Sequence, residues 1–103
     1  MAYKIIETEL ALQDLDNIIS YIALTLENPS AASSFADEVE DCYSNLEKMP
    51  LMYGFCNDPR LRMMKYHKAV IKNYIMVYKV DEDGKTVNIM RFFHGSQDYE
   101  KLI

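Results

Sequence analysis

Val70-Ile71-Lys72-Asn73-Tyr74-Ile75-Met76-Val77-Tyr78-Lys79-Val80 alternates as a strand does. The turn Asp81-Glu82-Asp83-Gly84 follows, and Val87-Asn88-Ile89-Met90-Arg91-Phe92-Phe93 leads into His94-Gly95-Ser96-Gln97-Asp98-Tyr99. A period of two over residues rich in β-branched and aromatic side chains predicts strands over Tyr74 to Val80 and Thr86 to Phe93. The acidic turn ending in glycine predicts a hairpin between them, with Gly84 supplying the positive φ that closes it. The two strands are therefore expected to be antiparallel neighbours, with Met63 to Ile71 as the strand before them.

Upstream the period changes. Tyr3 to Ile6 reads as a short strand, and Thr8 as the N-cap of a helix whose apolar positions Ala11, Leu15, Ile18, Ile19, Ile22 and Leu26 recur at 3.6 residues. Asn28-Pro29 restarts the chain, because asparagine as cap followed by proline in the first helical position is a start signal. Ala32, Phe35, Val39, Cys42, Tyr43 and Leu46 then give a second helix one apolar stripe, and Pro50 and Gly54 open a loop to about Pro59. The expected fold is a two-layer α+β domain over residues 1–103: an N-terminal strand, a helical hairpin, then a three-stranded antiparallel β-sheet whose one face carries the helices.

The chain has 103 residues, half of them apolar and 12% aromatic, which suffices for one core burying ~65% of the unfolded surface. No apolar run approaches the ~20 residues that span a bilayer. The start, Met1-Ala2-Tyr3-Lys4-Ile5-Ile6-Glu7, lacks a basic-then-apolar leader, so a cytoplasmic protein is expected. Cys42 and Cys56 have no companion pair or histidine at zinc-site spacing, which argues against a metal site or disulfide framework. Cys42 falls on the apolar face of the second helix and reads as a small buried hydrophobe.

A net charge of −5 hides an asymmetry. Residues 1–47 hold ten acids against Lys4, while residues 48–103 hold ten bases against six acids. Arg60, Arg62, Lys65, Lys68, Lys72 and Lys79 fall within one stretch of the basic half. An acidic helical layer behind a mildly basic sheet is the minimal footprint for a polyanionic partner. Lysines on outer strand positions also keep a sheet soluble and block edge pairing.

The order of these segments resembles the RelE/ParE toxin family of bacterial toxin–antitoxin systems. The strand Asn73-Tyr74-Ile75-Met76-Val77-Tyr78, the polar turn, the following strand and the terminal His94-Gly95-Ser96-Gln97-Asp98-Tyr99 carry the resemblance. Leu15 to Ile22, Asn28-Pro29-Ser30-Ala31-Ala32 and Leu46-Glu47-Lys48-Met49-Pro50 stand in the family's order. The resemblance implies a growth-inhibiting toxin, and in the RelE branch one that cleaves messenger RNA on the ribosome by attack of the ribose 2′-hydroxyl on its neighbouring phosphate. That reaction needs a base, an acid and cations near the phosphorus; it needs no metal or cofactor.

The residues that would carry it by this resemblance are His94, Lys68, Arg91 and Tyr99. His94 is an acid/base candidate by residue type; its other reading is a hydrogen bond that finishes the strand end. Tyr99 reads as a base-stacking or proton-sharing group, or as an anchor of the C-terminus on the helices. Lys68 alternates with His67, so one faces outward and the other inward; Tyr66, Lys68 and Val70 make the outer set, and His67, Ala69 and Ile71 the core-facing one. Arg91 shares its parity with Val87, Ile89 and Phe93, which places it inward, paired with a helical acid, unless a bulge intervenes.

Two departures point elsewhere. Ile75 stands where strongly active RelE-type members carry an arginine, and Ser96-Gln97-Asp98 supplies no cation, although phosphate binding scales with the number of basic contacts. The alternative is the ParE branch, which traps DNA gyrase without chemistry of its own. A third reading is a degenerate toxin that only binds its antitoxin. All three share the cognate antitoxin as partner, and Met49, Leu51, Met52, Tyr53 and Phe55 in the connecting loop suit its docking or form a small core beneath the loop.

Overall fold

A computed structural model describes residues 2–103. Strands β1 (Lys4–Glu7), β2 (His67–Ile71), β3 (Tyr74–Asp81) and β4 (Thr86–His94) form one sheet in the order β1-β4-β3-β2. The helices α1 (Glu9–Ser20) and α2 (Pro29–Lys48) pack on one face, as expected for a two-layer α+β fold. The β3–β4 and β2–β3 pairs are antiparallel, but β1 pairs with β4 in parallel, so the sheet has four strands and is mixed. The connection through residues 49–66 explains this: it is long enough to bring the chain back so that β2 and β4 run with β1.

Both helix starts lie where the side chains dictate. Thr8 accepts the Ala11 N–H at 3.0 Å, and Asn28 accepts the Ala31 N–H at 3.1 Å with Pro29 in the first turn. Between the helices the chain makes one π-helical turn, Tyr21–Thr25, closed by Leu26 N–H on the Tyr21 carbonyl. The extra residue in that turn rotates the apolar stripe. Ile22 stays buried, whereas Leu26, expected on the core face, is 54% exposed.

The strand expected from Met63 is shorter at its start. Asp58 caps a helical turn, α3 (Pro59–Met63), by accepting the Arg60 and Leu61 N–H groups, and Lys65 then takes a positive φ before β2 begins at His67. The β3–β4 turn also differs from expectation. Gly84 does not adopt positive φ; Lys85 does, at 54°. The pairing Asp81↔Thr86 leaves a four-residue loop whose last residue turns left-handed. Gly84 is needed for closeness instead: its N–H donates to Asp81 Oδ1 at 3.0 Å, and a Cβ there would lie 2.7 Å from Asp81 Oδ2. Gly84→Ala should therefore cost only about 1 kcal/mol, the worth of one displaced hydrogen bond, as read by urea denaturation.

The main core lies between sheet and helices, around Phe35, Val39, Leu46, Met76, Tyr78, Val87, Ile89 and Phe92. The other sheet face is not bare. Cys56, Leu61, Tyr66, Ile75, Val77, Phe93 and Tyr99 form a second core there, beneath α3 and the C-terminal segment. Residues 75–78 of β3 are thus buried on both faces, which accounts for their unbroken apolar run.

Candidate functional site

The placement of the candidate residues turns on a β-bulge. Val77 pairs with Arg91 and Tyr78 with Ile89, so Met90 has no partner and the alternation of β4 reverses there. Val87 and Ile89 face the helices; beyond the bulge Phe92 faces them, and Phe93 joins the second core. The grouping of Phe93 with Val87 and Ile89 on one face is therefore corrected by one inserted residue.

Arg91 pairs with Asp14 of α1, its Nε 2.6 Å from Oδ2 and its Nη2 3.2 Å from Oδ1. Asp14 Oδ2 also accepts the Phe92 N–H at 3.1 Å. This contact has a structural cause. β1 stops at Glu7, opposite Ile89, so the next stretch of β4 has no strand neighbour, and Asp14 satisfies the edge that β1 leaves open. The guanidinium lies 4.9 Å from the Phe93 ring centroid.

Lys68 stands opposite Val77, and Val77 opposite Arg91, so the three form a row across the second-core face of the sheet. His94 stands opposite Tyr74, whose ring packs at 5.0 Å on Phe35 of α2. His94 therefore projects on the helix face, edge-on to Tyr74 at 5.3 Å. Lys68 and His94 are separated by three positions along β3 and two strand spacings, roughly 14 Å, and point to opposite faces.

The turn after β4 fixes the His94 ring. Its Nδ1 accepts the Ser96 N–H at 3.1 Å and lies 2.6 Å from Ser96 Oγ, while its backbone N–H donates to Gln97 Oε1 at 2.7 Å. Nδ1 thus serves the turn, as one of its two readings held, and Nε2 remains at the exposed rim. Gly95 is required by its neighbour: its N–H donates to the Asn73 carbonyl at 2.7 Å, and a Cβ would meet that oxygen at 2.9 Å. Because the obstacle is backbone, Gly95→Ala should cost about 1–3 kcal/mol and shift the His94 imidazole resonances in NMR spectra.

Tyr99 is 5% exposed and packs 5.9 Å from Phe93 in the second core. It anchors the C-terminus on the sheet rather than on the helices. Burial, reinforced by the Cys56 thiol beside it, pushes its phenol up to about 12. The Cys56 thiol is itself raised by burial. His67, Ala69 and Ile71 face the helices as their alternation requires; in the opposite set Lys68 is half-buried, Val70 is exposed, and Tyr66 is buried with the second core.

The structure thus brings Lys68, Arg91 and Tyr99 to one face and leaves His94 on the other. Asp14 escaped the sequence reading, since its partner is 77 positions away. Asp58-Pro59 did carry a legible signal, the same cap-then-proline pair as Asn28-Pro29. Among the described residues no helix is long and apolar enough to cross a membrane.

Solved structures share this fold at low identity. The toxin–antitoxin complex RelBE2 from Mycobacterium tuberculosis aligns with a TM-score of 0.64 and 21% identity, covering 91% of this chain and 99% of that one. The chromosomal ParDE system from P. aeruginosa aligns at 0.66 and 18%, covering 90% and 96%. The E. coli toxin RelE, an arginine double mutant in the free state, aligns at 0.68 and 14%, covering 99% and 93%. No curated protein matches. The family model described as ParE toxin of type II toxin-antitoxin system, parDE, matches residues 5–99. The chain therefore belongs to the family of ParE toxins of type II toxin–antitoxin systems.

Proposed function

We propose that this toxin arrests growth by binding DNA gyrase in the cytoplasm, as the ParE branch does, rather than by cleaving messenger RNA on the ribosome. The observation that carries this reading is the division of the candidate residues. Phosphodiester cleavage needs its base, acid and cations within hydrogen-bond reach of one phosphate. His94 and Lys68 lie on opposite faces, Arg91 is held by Asp14, and Tyr99 is inside a core. Ile75 supplies no cation and is itself 8% exposed in that core.

A binding surface is available at the tip of the helical hairpin. Tyr21, Leu24 and Leu26 are 48%, 76% and 54% exposed around the π-helical turn. Three large apolar side chains grouped at a protruding turn are the composition of an interaction site. The π-helical turn places them there by shifting the stripe that the rest of α1 buries.

The test is a supercoiling assay with purified gyrase and the full chain. Wild type and the His94→Ala, Lys68→Ala double variant should inhibit equally, while Leu24→Glu should weaken inhibition by about 30-fold or more, the loss of one buried anchor. Equal inhibition by Leu24→Glu would move the surface off the hairpin tip. No inhibition by wild type would remove the gyrase reading.

A further inference from the structure

A cleft of about 540 Å³ opens between the loop after α2 and the β3–β4 turn. Leu51 and Phe55 supply its apolar wall, His67 its floor, and Asp81, Glu82 and Asp83 its rim. Among the described residues Lys65 is the only lysine or arginine lining it, against three carboxylates, so the cleft is acidic within the basic half of the chain.

His67 is the informative group. It is 5% exposed, and its ring is stacked between Phe55 at 4.3 Å and Tyr78 at 5.0 Å. Its Nδ1 lies 3.0 Å from the Tyr53 carbonyl oxygen. A carbonyl only accepts, so Nδ1 carries a proton and, in the neutral ring, Nε2 presents a lone pair. Both ring faces are covered and Nδ1 is used, yet Nε2 has no hydrogen-bond partner among the described residues. Among the described residues no buried side-chain nitrogen or oxygen lacks a partner, so Nε2 keeps some accessible surface, and His67 lines the cleft.

The rim has free charge to match. Asp81 is occupied with the Gly84 N–H, but Glu82 and Asp83 are exposed and form no ion pair among the described residues. An unpartnered ring nitrogen on a largely buried histidine, two free carboxylates and an apolar wall call for an occupant with several N–H donors, a positive charge and an aliphatic stem. That is an arginine or lysine side chain, and arginine suits it better because its planar fork donates in more than one direction.

We propose that this cleft receives an arginine or lysine of the cognate antitoxin, carried beside an apolar residue that packs on Leu51 and Phe55. The assignment rests on the reading of the chain as a toxin held by a protein antitoxin. Continuity supports it: Met49, Leu51, Met52 and Phe55 are 61%, 57%, 42% and 40% exposed along the loop that forms one wall. The antitoxin segment gains apolar contact from the loop and orientation from the charge at its end.

The test measures antitoxin affinity for the full toxin chain at low and high ionic strength. The probes are the wild type, the surface double variant Glu82→Gln, Asp83→Asn, and His67→Gln. Each variant should raise Kd by about tenfold, and the double variant should flatten the salt dependence. A Kd unchanged in the double variant overturns the proposal even where His67→Gln fails to fold. Loss of growth arrest with unchanged antitoxin affinity also overturns it, since the cleft would then serve the cellular target. Failure of the wild type to bind the antitoxin would strike the toxin–antitoxin reading itself, a separate outcome.

Discussion

Phe35→Ala is expected to lower the free energy of unfolding by about 3–5 kcal/mol. Phe35 has no exposed surface and lies at the centre of the main core, where its ring packs 5.0 Å from that of Tyr74. A domain of this size commonly has only about 5–15 kcal/mol in total, so the variant would be close to its folding limit. The cavity would not be confined to the helices. Tyr74 meets Phe35 on one side and His94 on the other, so removing the phenylalanine frees the support of the rim histidine. Urea denaturation should show a lower midpoint at an unchanged slope; Phe35→Leu, which leaves a smaller void, should cost about half as much.

Asp14→Ala should cost about 2–3 kcal/mol. The carboxylate is shared by three donors, Arg91 Nε, Arg91 Nη2 and the Phe92 N–H. Removing it leaves a guanidinium with 27% of its side chain exposed without a counter-charge, and an edge N–H without an acceptor. Partial exposure keeps the penalty below that of a fully buried pair. Asp14→Asn retains an acceptor for Phe92 and should lose about half as much. A loss below about 0.5 kcal/mol for Asp14→Ala, measured by the same denaturation, would mean that water replaces the carboxylate at the β4 edge.

The parts of the fold that were legible are those whose cause is local. Thr8 and Asn28-Pro29 announced both helix starts because a cap is made by one side chain and the next three residues. The alternation of residues 67–71 placed His67 and Ala69 inward because a strand has only two faces. What stayed hidden depends on distant partners. The parallel pairing of β1 with β4 joins residues about eighty positions apart, and the bulge at Met90 follows from the register with β3, which no periodicity in β4 records.

The candidate site shows the same division. Residue type singled out His94, Lys68, Arg91 and Tyr99, but whether they meet depends on the bulge and on what covers the second sheet face. The C-terminal segment, whose Tyr99 reads as a stacking or proton-sharing group or as an anchor on the helices, folds that ring into the second core on the opposite sheet face. Leu26 was read inward because the helical period was carried through residues 21–25, where a π-helical turn breaks it. That same turn exposes the apolar tip on which the proposed gyrase contact rests.

The measurement that bears most directly on binding without cleavage is transcriptome-wide mapping of messenger RNA 5′ ends shortly after induction of the chain without its antitoxin, beside the His94→Ala, Lys68→Ala double variant. Growth arrest by both proteins, with no new ends inside translated codons, is the result predicted here. New ends within codons for the wild type that vanish in the double variant would contradict it, and would show that two side chains on opposite faces of the sheet serve one ribosome-dependent nuclease.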